Sequence, residues 1–345
     1  MARVTRLPEV NRLLVRAPNW LGDAVMALPA LGALRRAFEG RTLILAAPPS
    51  VAAIFDEQTA ADPDEILAID VAREQQQLRD ARPDTILLLT NSFGSAWRAS
   101  RSGAPARWGY RGDLRGWLLT RGVRRPRKRL HQVEYYQALI RGLDLPNPLA
   151  FDPMPRIVPR SATAEQAAGL LAAAGVTADG QVVGFAPGAA YGHAKQWPPE
   201  RVAQVMAAVA RMGMSIVMVG AGGDRDTGRA IESSLPRDVR VVNLIGRTTL
   251  RQLIGVVSRC AAFVSNDSGA MHIAAAVGVP LTAIFGPTDE RVTAPSGTRA
   301  DVIRRDVFCR PCMLRECPID HRCMKRIDVE TVLRSVTRHL AGPPA

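Results

Sequence analysis

Short apolar runs alternate with amphipathic stretches along most of the chain, and this alternation occurs twice. The first half predicts strands at Arg12–Ala17, Thr42–Ala47, Glu65–Ile69 and Thr85–Thr90, and helices at Ala24–Phe38, Val51–Phe55, Val71–Ala81 and His131–Leu143. The second half predicts strands at Val182–Ala186, Ser215–Val219, Val241–Ile245, Ala261–Ser265 and Leu281–Phe285, and helices at Pro199–Met212, Thr227–Ser234, Thr249–Ser258, Ala270–Val277 and Val329–Leu340. Strands that alternate with helices form parallel sheets covered by helices on both faces. The pattern therefore predicts an α/β fold with two Rossmann-like domains.

A proline-rich stretch separates the two halves. Pro146, Pro148, Pro153, Pro155 and Pro159 disfavour helix and form a semi-rigid linker. We therefore predict an N-terminal domain over residues 1–155 and a C-terminal domain over residues 156–345, which ends in a cysteine-rich segment at 309–323 and a terminal helix. Ligands of open parallel sheets bind beyond the carboxyl ends of the strands, so we expect the two domains to face each other across a cleft.

Two residues are expected to modify individual helices. Pro29 removes a backbone donor inside the first helix, which predicts a kink or a late helix start. Thr248 precedes a helix and is predicted to cap it.

The charge of the chain is its most informative bulk property. The formal net charge is +13 and the sequence pI is about 10.6, which favours polyanionic partners such as nucleic acid, anionic lipid or phosphorylated substrates. Eleven basic residues lie between Arg98 and Arg129, opposed only by Asp113. This basic tract is either a solvated surface or a functional patch. No apolar run approaches the roughly 18–20 residues that span a bilayer, and the N-terminus lacks a secretory signal pattern, so we expect a cytoplasmic protein.

The segment Phe263–His272 predicts an anion site where a strand ends and a helix begins. Ser268 and Gly269 are small and leave the first amides of the helix uncovered, an arrangement that binds anions. Asp267 precedes them and is placed to accept hydroxyl hydrogen bonds, and His272 follows one turn later. The alternative is an ordinary Asp cap with a packed histidine.

Two further loops follow predicted strands at the same edge. Pro187–Pro198 combines small residues with Lys195, a compact positive charge suited to phosphate, although a lone loop lysine is usually solvated. Gly220–Asp226 places glycines beside Asp224, which suits a ribose or the edge of a base.

Asp23 stands beside Gly22 directly after the first strand, where a dinucleotide-binding domain carries several glycines. A carboxylate at a helix start is favourable by about 0.3–1 kcal/mol through the helix dipole. The alternative interpretation is a base that faces the cleft.

Four of the five cysteines, Cys309, Cys312, Cys317 and Cys323, fall within 15 residues. Clustered cysteines in a reducing compartment indicate metal more than disulfides. We therefore predict a structural zinc site, with reduced thiols or a redox-sensitive pair as alternatives.

Together these segments resemble the ADP-heptose:lipopolysaccharide heptosyltransferases, nearest to the heptosyltransferase II branch. The matching segments are Asn19–Asp23, Leu28–Leu31, Pro187–Ala189, Lys195–Pro198, Ser265–His272 and Gly286–Asp289. The resemblance implies a GT-B fold and inverting transfer of L-glycero-D-manno-heptose from ADP-heptose to the first heptose of a lipid A–Kdo acceptor, without a metal or other catalytic cofactor.

The resemblance also implies residue roles. Asp23 would be the catalytic base, Lys195, Ser268 and Gly269 would contact the donor pyrophosphate, and Asp267 would contact the donor heptose. A single displacement needs one base and one group that stabilises the departing diphosphate, and His272 is placed to assist in that stabilisation. The basic tract then has a partner: we expect Arg124, Arg125, Arg127 and Lys128 to dock the anionic acceptor and the headgroups of the inner membrane, on whose inner face the protein would lie peripherally.

Other functions stay open at this point. One is a different sugar-nucleotide enzyme of the same shape, such as a heptosyltransferase with another acceptor or an epimerase, which would change a sugar without an acceptor. Another is a basic nucleic-acid-binding protein, but the sequence shows no helix-turn-helix, zinc-finger or aromatic RNA-binding signature, so no nucleic-acid partner is expected. A dehydrogenase is disfavoured because the dinucleotide fingerprint is missing.

Overall fold

The computed structural model describes residues 10–145, 149–177, 180–297 and 299–342. The chain forms two compact units, Met1–Arg156 and Ile157–Ala345, so the division lies one residue from the boundary that the sequence suggests. Three residues of the predicted linker, 146–148, lie outside the described residues.

The N-terminal unit is one parallel sheet with helices packed on it. Its strands are β1 (Arg12–Arg16), β2 (Thr42–Ala47), β3 (Glu65–Ala68), β4 (Thr85–Leu88), β5 (Ala106–Tyr110) and β6 (Arg121–Val123). Its helices are α1 (Leu21–Ala37), α2 (Pro49–Ala52), α3 (Glu74–Asp80), α4 (Phe93–Arg101) and α5 (Gln132–Arg141). The strand order is β3-β2-β1-β4-β5-β6.

The C-terminal unit repeats this plan. Its strands are β7 (Val182–Ala186), β8 (Ser215–Met218), β9 (Val241–Asn243), β10 (Cys260–Asn266), β11 (Leu281–Phe285) and β12 (Ala300–Arg304). Its helices are α6 (Ser161–Ala173), α7 (Pro199–Arg211), α8 (Arg225–Ser234), α9 (Leu250–Ser258), α10 (Gly269–Val277), α11 (Glu290–Thr293), α12 (Arg322–Lys325) and α13 (Val329–Leu340). The order β12-β11-β10-β7-β8-β9 is the same as in the first unit once its strands are counted from β7.

Both sheets therefore have the Rossmann strand order, and the predicted α/β fold with two Rossmann-like domains is confirmed. In each sheet the order reverses beside the first strand, between β1 and β4 and between β7 and β10. Loops that leave the carboxyl ends of these strands diverge and leave room for a ligand. The periodicity of the sequence thus fixes where functional loops must lie.

Three local predictions are wrong. The late start expected for the first helix is wrong: the helix starts at Leu21 and runs through Pro29, because a proline in the third turn removes one bond of an otherwise buried helix without preventing its start. Thr249, rather than Thr248, caps α9: its side chain accepts a hydrogen bond from the Gln252 amide at 3.2 Å, and Gln252 bonds back to the Thr249 amide. The basic tract, finally, is not one solvated surface, since it contains α4, β5, β6 and the fully buried Arg115.

In the described part of the chain, no helix combines the length and apolar character needed to cross a bilayer.

Candidate functional site

The centre of the C-terminal site is an ion pair at the point where the strand order reverses. The Lys195 Nζ atom lies 2.6 Å from Asp267 Oδ2, and the two side chains are only 12% and 6% exposed. The Thr288 hydroxyl donates to the same carboxylate oxygen at 2.6 Å. Lys195 is therefore not a solvated loop lysine: Asp267 fixes its ammonium at the carboxyl edge of the sheet.

Asn266 holds the loop that carries Lys195. Its amide nitrogen donates to the Pro187 carbonyl at 2.5 Å, and its side-chain oxygen accepts from the Trp197 amide at 3.3 Å. One side chain at the end of β10 thus ties down both ends of the loop that follows β7. Sequence analysis did not assign this role to Asn266, because it requires knowing that β7 and β10 are neighbours.

The N-terminus of α10 lies directly beyond this ion pair. The helix begins at Gly269, and Ser268 holds the N-cap position without accepting a hydrogen bond from the first turn. The Ser268 hydroxyl lies instead 3.1 Å from that of Ser265. The interpretation of Asp267 as an ordinary cap is therefore wrong. The first amides of α10 carry the partial positive charge that suits an anion, and His272 is buried within the same helix.

Asp224 connects two loops of this edge. It is buried, and its Oδ2 accepts from the Ala221 amide at 2.9 Å. A Cβ atom on Gly188 would lie 2.0 Å from the Asp224 carboxyl carbon, so glycine is required there for close packing. Burial raises the pKa of Asp224 above its usual range. The contact of Asp224 with a ribose stays a prediction, to which the structure adds this connecting role.

The cysteine-rich segment 309–323 packs behind the Lys195 loop, and we call it the strap. The Tyr191 hydroxyl donates to the Met313 carbonyl at 2.8 Å, and the Ala194 amide donates to the Arg315 carbonyl at 2.9 Å. A ring nitrogen of His321 lies 2.6 Å from the Ala194 carbonyl. The strap therefore determines the shape of the loop from which Lys195 projects, a function that the sequence did not indicate.

The four strap cysteines are free thiols near one another. Cys323 is buried, and burial together with the charges of the other three raises its pKa to about 11. Within the described ranges, no three His, Cys, Asp or Glu side chains form a group that could hold a metal ion. The structural zinc site therefore stays a prediction.

In the N-terminal unit, Asp23 occupies the first turn of α1, directly after β1. Its Oδ1 lies 3.5 Å from the Tyr136 hydroxyl, which also accepts from Gln132 Nε2 at 3.2 Å. Burial and the charge of Asp23 raise the pKa of Tyr136 well above its usual value. The phenol therefore stays protonated and directs its proton toward Asp23. Sequence analysis missed Tyr136, which lies 113 positions away.

A buried network supports the loop between β1 and α1. Glu74 bonds Arg16 at 2.7 Å through one oxygen and Arg98 at 2.7 Å through the other. Arg16 in turn donates to the Asn19 side chain at 2.8 Å. Arg16 thus holds the loop that leads to Asp23, and Glu74, which Arg16 shares with Arg98, fixes the position of Arg16.

The predicted acceptor residues lie in the loop after β6. Arg124, Arg127 and Lys128 are exposed, whereas Arg125 is half-buried and pairs with Asp113 at 2.7 Å. The structure thus keeps three of the four cations available to solvent and uses the fourth to fix the loop.

The profile described as glycosyltransferase family 9 (heptosyltransferase) matches residues 71–322. Lipopolysaccharide heptosyltransferase 2 of Escherichia coli K12 is 31% identical over 314 residues, which cover 85% of this chain and 88% of that protein.

Solved structures agree. The E. coli ADP-heptose lipopolysaccharide heptosyltransferase II superposes with a TM-score of 0.81 at 28% identity, covering 97% of this chain and 100% of the other. The E. coli heptosyltransferase WaaC with ADP superposes with a TM-score of 0.71 at 19% identity, covering 95% and 99%. The second likeness shows the fold alone.

Proposed function

The chain belongs to glycosyltransferase family 9, the heptosyltransferases, and from this premise we propose that it transfers L-glycero-D-manno-heptose from ADP-heptose to the first heptose of the lipopolysaccharide inner core. It is a glycosyltransferase enzyme. The observation that carries the proposal is the ion pair of Lys195 and Asp267 beside the N-terminus of α10.

The C-terminal unit is suited to a departing diphosphate. Transfer breaks the bond between the anomeric carbon and the pyrophosphate oxygen, and ADP leaves with that electron pair. Lys195 and the amides at Ser268 and Gly269 place positive charge where this negative charge develops. A preorganised donor of this kind contributes a factor of about 10²–10³. Asp267 both orients Lys195 and offers oxygen to the heptose hydroxyls.

The N-terminal unit supplies the base. Asp23 accepts the proton of the acceptor hydroxyl as its oxygen attacks the anomeric carbon, which inverts the configuration in one displacement. A general base of this kind typically contributes about 10²–10⁴ in rate. The ordinary pKa of an aspartate is about 3.9, so proton transfer must come late, after the sugar–phosphate bond has largely opened. Tyr136 and the loop network around Glu74 support the orientation of Asp23.

The acceptor carries phosphates and carboxylates on a lipid anchor. We assign its binding to the loop after β6, where Arg124, Arg127 and Lys128 are exposed and Arg125 is held by Asp113. The same cations suit the anionic headgroups of the inner leaflet, so the protein is proposed to act peripherally on the cytoplasmic face of the inner membrane.

The strap has a positioning function in this proposal, because it holds the loop of Lys195. A structural zinc ion on Cys309, Cys312, Cys317 and Cys323 stays a prediction. Metal analysis of protein purified without chelator tests it, and the absence of zinc or iron contradicts it. The independence of catalysis from metal is tested by transfer in the presence of EDTA.

The main experiment identifies donor and acceptor together. Purified protein is incubated with ADP-heptose and with truncated lipopolysaccharides that bear zero, one or two heptoses, and mass spectrometry reports which acceptor gains a heptose. We expect growth of the one-heptose acceptor. Growth of another acceptor would show a different heptosyltransferase, and a changed sugar released without any acceptor would show an epimerase.

The role of Asp23 is tested separately. Asp23→Ala is expected to lose transfer while it still binds ADP-heptose, because the donor contacts lie on residues of the other unit. Asp80→Ala, an exposed helical aspartate of the same unit, is the matched control and keeps wild-type turnover. Equal turnover of Asp23→Ala and wild type would remove Asp23 from the mechanism.

A further inference from the structure

Three aromatic side chains of the N-terminal unit form an exposed cluster, which we call the aromatic patch. Phe93, Trp97 and Trp117 are 42%, 43% and 70% exposed. Their ring centroids are 6.3 Å apart for Phe93 and Trp97, and 6.4 Å apart for each of the other two pairs. Single exposed hydrophobic residues are common, whereas a contiguous exposed cluster indicates an interaction surface.

The fold presents this patch rigidly. Phe93 and Trp97 lie four residues apart on α4 and so share one face of the helix. Trp117 lies in a short 3-10 turn after β5, and the neighbouring Arg115 is fully buried. Arg115 donates to the Thr90 carbonyl at 2.7 Å and to the Tyr110 carbonyl at 3.0 Å. A buried guanidinium bound to the ends of β4 and β5 thus holds the turn of Trp117 against α4.

The surroundings of the patch are positively charged. The Arg101 guanidinium lies 5.8 Å from the centre of the Trp97 ring. The loop before Trp117, which also carries Leu114 at 88% exposure, is joined to residues 124–128 through the ion pair of Asp113 and Arg125. We call residues 124–128 the basic loop. Exposed rings and exposed cations therefore lie at the same edge of the sheet, beyond the carboxyl ends of β4, β5 and β6.

We propose that the aromatic patch and the basic loop form one membrane-docking surface, which binds bilayers that contain anionic phospholipid. The rings enter the interfacial layer, where tryptophan and other aromatic side chains concentrate because one part of the ring system is apolar and the other polar. The cations of the basic loop bind lipid phosphates. The inference deepens the proposed function and rests on it for the lipid-borne acceptor.

Two observations favour a bilayer over other partners. Stacking of single-stranded nucleic acid needs open ring faces, but here Phe93 lies nearly parallel to Trp97 at 16° and Trp117 meets Trp97 edge-on at 68°, so the rings partly cover one another. The exposed charge beside the patch is mostly positive, since Asp113 is paired with Arg125. This charge suits a polyanionic surface better than a second copy of the chain with the same positive charge.

The test is partition of the full-length protein onto vesicles. Wild type, Trp97→Ser/Trp117→Ser and Val71→Ser are sedimented with vesicles of phosphatidylglycerol and phosphatidylethanolamine, and with neutral phosphatidylcholine vesicles. Val71 is a 66% exposed hydrophobic residue of the same unit and serves as the control. We expect the double variant to lose at least about tenfold in partition to anionic vesicles, the control to match wild type, and neutral vesicles to bind all three weakly. Brominated lipid should quench the tryptophan emission of wild type only when the vesicles are anionic.

The proposal is overturned if the double variant partitions onto anionic vesicles as strongly as wild type does. It is also overturned if sedimentation velocity shows that a second copy of the chain covers the aromatic patch, or if the patch binds an oligonucleotide in preference to vesicles. Circular dichroism shows whether the variant is folded. Heptose transfer to a deacylated, water-soluble acceptor is measured in parallel and should not change. If wild type fails to transfer to that acceptor, the proposed function fails while the vesicle result still stands on its own.

Discussion

The ion pair of Lys195 and Asp267 yields the sharpest prediction. Lys195→Met keeps the length of the side chain but removes its charge. The buried Asp267 carboxylate then lacks a positive charge to compensate it. At 2.6 Å and an effective dielectric constant of about 20, the gross attraction between the two charges is about 6 kcal/mol. Desolvation of both groups offsets part of it, so the gross value is an upper bound.

Removal of one member of a buried pair typically costs about 3–5 kcal/mol, since the other charge stays buried without compensation. We expect about 3 kcal/mol for Lys195→Met, because the lysine side chain retains 12% exposure. Asp267→Asn should cost less, since the lysine still reaches the Asp267 backbone carbonyl at 3.4 Å. The double variant has no uncompensated charge, so the double-mutant cycle should show a coupling of about 2 kcal/mol or more.

The assay must report the C-terminal unit alone. Trp197 is the single tryptophan between residues 157 and 345 and is almost fully buried, so its ¹⁹F resonance in 5-fluorotryptophan-labelled protein follows urea unfolding of that unit. In parallel, Lys195→Met should lower the turnover of ADP-heptose by a factor of about 10²–10³. Moderate salt should change the coupling little, because a buried pair is weakly screened.

Additive single effects, with a coupling below about 0.5 kcal/mol, would falsify the reasoning, since the lysine would then not be held by Asp267 in solution. If Lys195→Met lost much of its turnover while the effects of the two single variants on stability were additive, Lys195 would bind the phosphate without being held in place by Asp267 beforehand.

Three other changes test the surroundings of the site. Tyr136→Phe removes the phenol that faces Asp23 and should lower kcat by about tenfold, or about 1.4 kcal/mol, with the KM for donor unchanged; steady-state kinetics measure both. Gly192→Ala places a Cβ atom 2.4 Å from the Arg315 carbonyl oxygen, so it should displace the strap and weaken ADP binding in calorimetry. Asp328→Ala removes the N-cap of α13, whose side chain accepts from the Thr331 amide at 2.7 Å, and should cost about 1 kcal/mol at pH 7 in urea unfolding. Hydrogen bonds lower the pKa of Asp328 in the folded state, so this contribution is fully present above the unfolded pKa of about 3.9. It is lost gradually as the pH falls from there through the lower pKa of the folded state.

Each of these three predictions is contradicted by one specific result. An unchanged kcat in Tyr136→Phe means that the phenol does not orient the base. Gly213→Ala is the control for Gly192, because its φ of +83° strains alanine while no atom lies within 4 Å of the added Cβ; equal loss of ADP binding in both variants would show that backbone strain, not the strap, is responsible. A stability difference between Asp328→Ala and wild type that is as large at pH 3 as at pH 7 would contradict the assignment to the ionised cap.

Much of the candidate site could be predicted from sequence because its parts are local. The segments around Asp23, Lys195 and Asp267 each follow an apolar run, and within each parallel sheet the carboxyl ends of the strands lie at one edge. The predictions that were wrong concern single residues. Neither the cap at Thr249 nor the buried Arg115 can be recognised from composition, since neighbouring threonines look alike and a tract of arginines hides the single one that is buried.

The sequence by itself determined the two parallel sheets, because a strand or a helix is set by the periodicity of residues that are neighbours in the chain. Only the tertiary structure decided which distant side chains meet. Lys195 and Asp267 are 72 positions apart, Tyr136 and Asp23 are 113 apart, and Tyr191 and Met313 are 122 apart. These contacts depend on strand order and on the packing of loops, which no local sequence pattern determines. They orient the base Asp23, fix the ammonium of Lys195 and support the loop that carries Lys195.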